Sequence, residues 1–77
     1  MPRINPVNWK VLECIFTKFG FVLERQAGSH RCYVKQGINR PIVIPAYSEV
    51  QVHIIRGLIR TAKMSRKEYF ELLDICK

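Results

Sequence analysis

Apolar residues recur at helical spacing in three stretches of this chain, with strand-like content between the first two. Leu12, Ile15, Phe16 and Phe19 fall at i, i+3, i+4 and i+7, and Trp9 extends that face one turn back. Asn8 stands where an N-cap is wanted and Gly20 where a left-handed C-cap is wanted, so a helix runs to about Phe19. Phe21 to Gln26 is strand-like, Ala27 and Gly28 make a turn, and Arg31 to Lys35 is a second strand rich in Tyr and Val. Gly37 and Asn39 supply the next turn before a third strand from Pro41 to Ile44, ended by Pro45, which has no amide for a ladder. Such short turns imply antiparallel hairpins.

A second helix fits residues 50 to 63. Ile55, Leu58, Ile59 and Ala62 form its apolar side, and His53, Arg56, Arg60 and Lys63 its basic side. Gly57 inside it is a weak point of roughly 1 kcal/mol against Ala. Ser65 to Glu68 is a capping box that opens a third helix to about Cys76, with Tyr69, Leu72 and Leu73 on its apolar face and Phe70 beside it. The order predicts an α+β fold, with a three-stranded antiparallel sheet covered on one face by helices. Residues 1–77 read as one domain, and residues 1–6, with Pro2 and Pro6, as an unstructured lead.

Composition narrows the function classes. Of 77 residues, 48% are hydrophobic and 25% charged, which excludes a disordered chain, and the length excludes a large multidomain enzyme. Thirteen Lys and Arg against six Asp and Glu leave a formal net charge of +7. That surplus on so small a surface favours a polyanionic partner: nucleic acid, an acidic protein or an anionic membrane. No uncharged apolar run approaches the ~20 residues of a membrane span, and the first residues hold no stretch of signal-peptide length. Cys14, Cys32 and Cys76 are odd in number and widely spaced, and read as buried or incidental thiols of a reducing cytoplasm.

Candidate chemistry is sparse. The acids form no metal motif, the two His have no zinc spacing, and no phosphate-binding glycine loop or serine elbow occurs, so no metal or cofactor is expected. His30 follows Gly28 and Ser29 at the mouth of the second strand, near Arg25, Arg31 and Lys35. An imidazole exchanges protons near neutral pH, and neighbouring cations can hold a phosphodiester. RNA carries its own nucleophile, the ribose 2′-hydroxyl, so a ribonuclease can work without a metal. Alternation places His30 on one side with Cys32 and Val34; if that side faces the helices, His30 is a half-covered rim residue. The plain alternative is a polar hairpin residue. His53 reads as a solvated helix residue, and pairing it with His30 would require proximity that no pattern fixes. The basic stripe is either a phosphate-binding surface, with Arg56, Arg60 and Lys63 spanning about 10 Å, or the wet side of an amphipathic helix. Tyr33 and Tyr47 could stack on unpaired bases, although Tyr33 suits sheet packing equally.

These residues carry a resemblance. Gly20-Phe21-Val22-Leu23, then Arg25-Gln26-Ala27-Gly28-Ser29-His30, resembles the opening of the HicA toxin family. Val43-Ile44-Pro45, the helix and turn from Ile55 to Ser65, and Phe70 continue the likeness, which covers about Val7 to Leu73. The resemblance implies a double-stranded-RNA-binding-like fold of α-β-β-β-α type, here with an extra C-terminal helix. It implies the toxin of a toxin–antitoxin pair, an endoribonuclease that cuts mRNA with His30 as its catalytic His, and a HicB-type antitoxin as partner. Arg25, Ser29, Arg31, Lys35, Arg56, Arg60 and Lys63 are the expected RNA contacts, with Lys35, Tyr47 or water as the leaving-group acid. The chain departs from the family where Tyr47 stands in the region in which many relatives have a His, and where His53 and Lys63 replace Gly. Two rival readings remain at this level: a non-catalytic RNA-binding module of the same fold, and an interaction domain for an acidic protein.

Overall fold

A computed structural model describes residues 3–77. The order is α1 (Trp9–Lys18), β1 (Val22–Ala27), β2 (His30–Lys35), β3 (Ile38–Pro45), α2 (Val52–Thr61) and α3 (Arg66–Cys76). The strands form one open antiparallel sheet in the order β1-β2-β3, as the short turns imply. Tyr33, Ile42 and Ile44 of the sheet are buried in one core with Leu12, Ile15 and Phe16 of α1, Ile55, Leu58 and Ile59 of α2, and Tyr69 of α3. The helices therefore cover one sheet face and leave the other open. This is the expected α+β architecture.

The helix ends follow local chemistry. Asn8 Oδ1 accepts from the Lys10 amide at 2.9 Å, which caps α1. Gly20 has φ +113°, and the Phe21 amide donates back to the Phe16 carbonyl at 2.9 Å, which closes the helix. Ser65 and Glu68 form the reciprocal capping box of α3. Helix α2 is shorter than its periodicity predicts, because Val50 pairs with Val7 in an isolated bridge and Lys63 takes a left-handed conformation at φ +56°. Gly57 adjoins open space, so no close packing demands a glycine there.

Irregular pairing alters the register within β1 and displaces the start of β3. Leu23 pairs with Tyr33 but Arg25 with Cys32, which leaves Glu24 as an extra residue in β1. The register between β2 and β3 also shifts beyond Tyr33, and β3 carries the extra residues, with Pro41 among them. A bulge on an edge strand tolerates proline. Strand β3 thus begins at Ile38 rather than at Pro41, and Asn39 lies within it, while the turn itself is Gln36-Gly37 with Gly37 at φ +90°.

Two expectations are corrected here. The lead is packed from Ile4 onward: Ile4 belongs to the core and Val7 exchanges backbone hydrogen bonds with Val50, while residues 1 and 2 lie outside the described residues. Cys14 and Cys76 are not incidental thiols but form a disulfide that ties α1 to the end of α3. Antiparallel packing of the two helices brings their Cα atoms to 5.8 Å across 62 positions of sequence, a proximity that spacing along the chain does not reveal. Cys32 is a free, buried thiol, as expected.

One core group is imperfectly matched. The Tyr69 hydroxyl is buried and has no hydrogen-bond partner among the described residues, and burial pushes its pKa up to about 12. A buried, unsatisfied hydroxyl costs about 1–3 kcal/mol. Tyr69→Phe is therefore expected to raise stability by about 1 kcal/mol. Urea unfolding checks this, and a loss of similar size would show that the hydroxyl has a partner in solution.

Candidate active site on the open sheet face

Residues opposite one another across antiparallel strands share a face. Arg31 pairs with Ile44 and Tyr33 with Ile42, and these point toward the helices. His30 pairs with Pro45 and Ala27, and Cys32 with Val43 and Arg25, so this set looks the other way. His30 is exposed and makes no side-chain hydrogen bond among the described residues. It is therefore not the half-covered rim residue expected for a side facing the helices. Arg25 stands diagonally across from His30 on this open face, within reach of a long side chain at about 7–8 Å between backbones. Val43, opposite Cys32, is 43% exposed next along this face, and Val22, opposite Val34, is 61% exposed further toward its other end.

Backbone hydrogen bonds fix this end of the sheet. Gly28, at φ +60°, and Ser29 form the β1–β2 turn just before His30. The Ser29 carbonyl accepts from the Ala46 amide at 2.6 Å, and the Tyr47 carbonyl accepts from the Trp9 amide at 3.1 Å. The turn, the segment after β3 and the start of α1 are thereby stitched together. Tyr47 remains exposed at this end.

Arg31 has a different setting from His30. Its Nη2 lies 2.8 Å from Glu13 Oε2, its Nε donates to the Tyr33 hydroxyl at 3.0 Å, and its Nη1 donates to Gln26 Oε1 at 2.6 Å. Its guanidinium sits 4.8 Å from the Trp9 ring centroid. The Tyr33 hydroxyl also donates to Glu13, and Tyr33 is fully buried, which leaves sheet packing and not base stacking as its setting. Burial raises the Tyr33 pKa to about 12, aided by the bond to Glu13. Burial also pushes the Glu13 carboxyl up, but the hydrogen bonds from Tyr33 and Arg31 and the charges of Arg31 and Lys10 outweigh it. The net effect holds Glu13 below its usual 4.5.

The sign of the resulting pH dependence follows. Glu13 binds its proton less readily folded than unfolded, so between its lowered folded pKa and 4.5 the unfolded chain holds more protons. Its stabilisation is full above 4.5 and is lost as pH falls through the folded value. Glu13→Gln is expected to cost about 1–2 kcal/mol at neutral pH, with the gap to the wild type closing in acid. Urea midpoints from pH 7 downward measure the gap, and a gap independent of pH would refute the ionic role.

Lys35 is distant from His30. Five positions along β2 separate them, roughly 16 Å at the usual rise, and Lys35 Nζ lies 4.0 Å from the Phe19 ring centroid on the helix side. His53, Arg56 and Arg60 form the basic stripe of α2 as their spacing predicts, and Lys63, beyond the end of the helix, is exposed as well. Arg60 and Lys63 adjoin Arg40 in a groove at the sheet end away from His30. Among the described residues, no three of His, Cys, Asp or Glu come together as a metal site, and no helix is long and apolar enough to cross a membrane.

The network of Glu13, Arg31, Tyr33, Gln26 and Trp9 was absent from the sequence reading. Its signal was present in the shared parity of Arg31 and Tyr33 and in the apolar alternation of Ile42 and Ile44, which together point Arg31 inward. Arg40 was likewise missed, because it lies in the bulged part of β3.

Comparison with known families gives a match to the model described as the HicA toxin of bacterial toxin–antitoxin, over residues 9–64. Comparison with curated proteins finds no match. The matched span runs from the first residue of α1 to just beyond α2 and includes His30 and the whole sheet.

Proposed function

This chain belongs to the HicA toxin family of bacterial toxin–antitoxin systems, and from that premise we propose that it is a metal-independent endoribonuclease that cuts mRNA with His30 as its proton-transfer group. The observation that carries this reading is the placement of His30: exposed, at the anchored end of an otherwise open sheet face, with Arg25 on the same face. A phosphodiester can approach there without rearrangement of the fold.

In this reaction, neutral His30 takes the proton of a ribose 2′-hydroxyl. The 2′-oxygen bonds to the adjacent phosphorus and the bond from phosphorus to the 5′-oxygen breaks. The products are a 2′,3′-cyclic phosphate and a 5′-hydroxyl, whose proton comes from Tyr47 or water. Arg25 stabilises the charge that grows on the phosphoryl oxygens. Ser29, in the turn, contacts the same strand of RNA, and Arg56, Arg60 and Lys63 hold its backbone further along. Arg31 acts as a positioning residue, because Glu13, Tyr33 and Gln26 engage its donors and Trp9 lies against it. The distance of Lys35 from His30 leaves it no part in the proton transfer.

The family implies a cognate antitoxin. A HicB-type protein that covers His30 would also cover exposed Val43, which gives that contact an apolar group among cations. An mRNA substrate places the protein in the cytoplasm.

A single-stranded RNA and a copy with one 2′-deoxy nucleotide at the cleaved position test the chemistry. The all-ribose strand is expected to yield cyclic-phosphate ends in EDTA, and the substituted strand to stay intact at that position. Cleavage of the deoxy position would exclude the 2′-hydroxyl as nucleophile.

A further inference from the structure

We propose that the groove between the start of β3 and the end of α2 is a second phosphate-binding subsite, which grips the RNA at the opposite end of the sheet from His30. The inference rests on the RNA reading above and adds to it a named site, a residue outside the helical stripe, and a minimum RNA length. Ile38, Asn39 and Arg40 line the groove from β3, and Arg60, Thr61 and Lys63 from the helical side.

Three observations converge on this place. First, Arg40, Arg60 and Lys63 supply three positive charges, no carboxylate lines the groove, and none of the three forms an ion pair among the described residues. Three unpaired like charges around one depression repel one another, so nothing within the fold explains their convergence. Second, Lys63 holds φ +56°, a left-handed conformation that costs a non-glycine residue about 1 kcal/mol. The Met64 amide closes the helix onto the Ile59 carbonyl at 3.0 Å, in the arrangement where glycine is the unstrained choice. A lysine here is a local strain that yields one more cation at the groove. Third, the remaining polar lining, Asn39 and Thr61, is uncharged and able to donate hydrogen bonds to phosphate oxygens.

The lining favours a nucleic-acid backbone over an acidic protein. Protein contacts centre on apolar and aromatic groups, and Ile38, half-buried, is the one large apolar residue here. Arginine forks match phosphate oxygens in pairs. Pro45 faces His30 across the ladder, and Arg40 lies five positions back along β3, roughly 16 Å away. An RNA that occupies both places must run the length of the sheet and pass its β3 edge toward α2. A fragment of two or three nucleotides seated at His30 cannot touch the groove.

The test measures binding, not cleavage, and uses His30→Ala as background so that RNA stays intact. Fluorescence anisotropy compares a 20-nucleotide single strand with a trinucleotide. Arg40→Gln with Arg60→Gln is expected to weaken binding of the long strand about tenfold at low salt and to flatten its salt slope by about 1.4, for two phosphates lost. Trinucleotide affinity stays the same. Lys63→Gly is expected to raise the melting temperature while weakening the long strand about threefold, a pair of opposite shifts that a purely structural lysine would not give. Long-strand affinity and salt slope equal to the His30→Ala background in the double variant would overturn the proposal. So would a loss confined to the binding of an acidic antitoxin. Failure of the ribonuclease reading appears elsewhere, as RNA left intact by the wild type, and does not alter this comparison.

Discussion

His30→Ala is expected to lower RNA cleavage by about 10²–10⁴-fold, the usual contribution of a positioned proton-transfer group. The same substitution is expected to leave stability within about 0.5 kcal/mol of the wild type, because the side chain is exposed and makes no hydrogen bond among the described residues. That combination separates His30 from its sequence neighbour. Arg31 contacts Glu13, Tyr33, Gln26 and Trp9, so its truncation leaves a half-buried carboxylate without its ion pair and should lower stability as well as activity. Rates and urea unfolding measured on the same preparations check both halves. Wild-type rates in His30→Ala would remove it from the chemistry, and lost activity together with lost stability would make it a structural residue.

Loss of the Cys14–Cys76 link is the largest expected effect on stability. The bond closes a loop across 62 positions, and the chain-entropy relation for such a loop gives about 4 kcal/mol. A chain of this length has a total stability of only about 4–12 kcal/mol. The Cys14→Ser, Cys76→Ser double variant should therefore melt at least about 15 °C below the oxidised wild type. Dithiothreitol should bring the wild type down to the variant and leave the variant unmoved. Equal melting temperatures in all four samples would show that the bond adds nothing. The cytoplasm proposed for this protein keeps thiols reduced, so there the pair is expected as two thiols and α3 as the less firmly held helix. Tyr69, Leu72 and Leu73 would still pack α3 against the core without the bond.

The helical faces were legible in the sequence because a 3.6-residue repeat needs no partner to be read. Ile55, Leu58, Ile59 and Ala62 are buried and the basic residues opposite them exposed, as their spacing requires. Capping chemistry was equally local, and Asn8, Ser65 and Glu68 act as their positions suggest. Strand alternation gave the sides of the sheet but not which side faced the helices. That choice depends on the pairing of Arg31 and Tyr33 with Ile44 and Ile42, and it moved His30 to the open face and Arg31 into a network. Bulges hid the register change at Glu24 and the start of β3 near Pro41, since an extra residue has no signature in a two-residue repeat. The disulfide, the docking of Ile4 and the meeting of Arg40 with Arg60 and Lys63 are all products of tertiary packing between distant segments. The resemblance carried by Gly28-Ser29-His30 and the later helix agrees with the family match over residues 9–64.

The most direct measurement is incubation of purified wild type and His30→Ala with a long single-stranded RNA in EDTA, with fragments resolved by length and end group. Cleavage by the wild type alone, ending in cyclic phosphates, is the result expected of a metal-independent ribonuclease built around His30. RNA left intact by the wild type, or cut equally by both proteins, would contradict it.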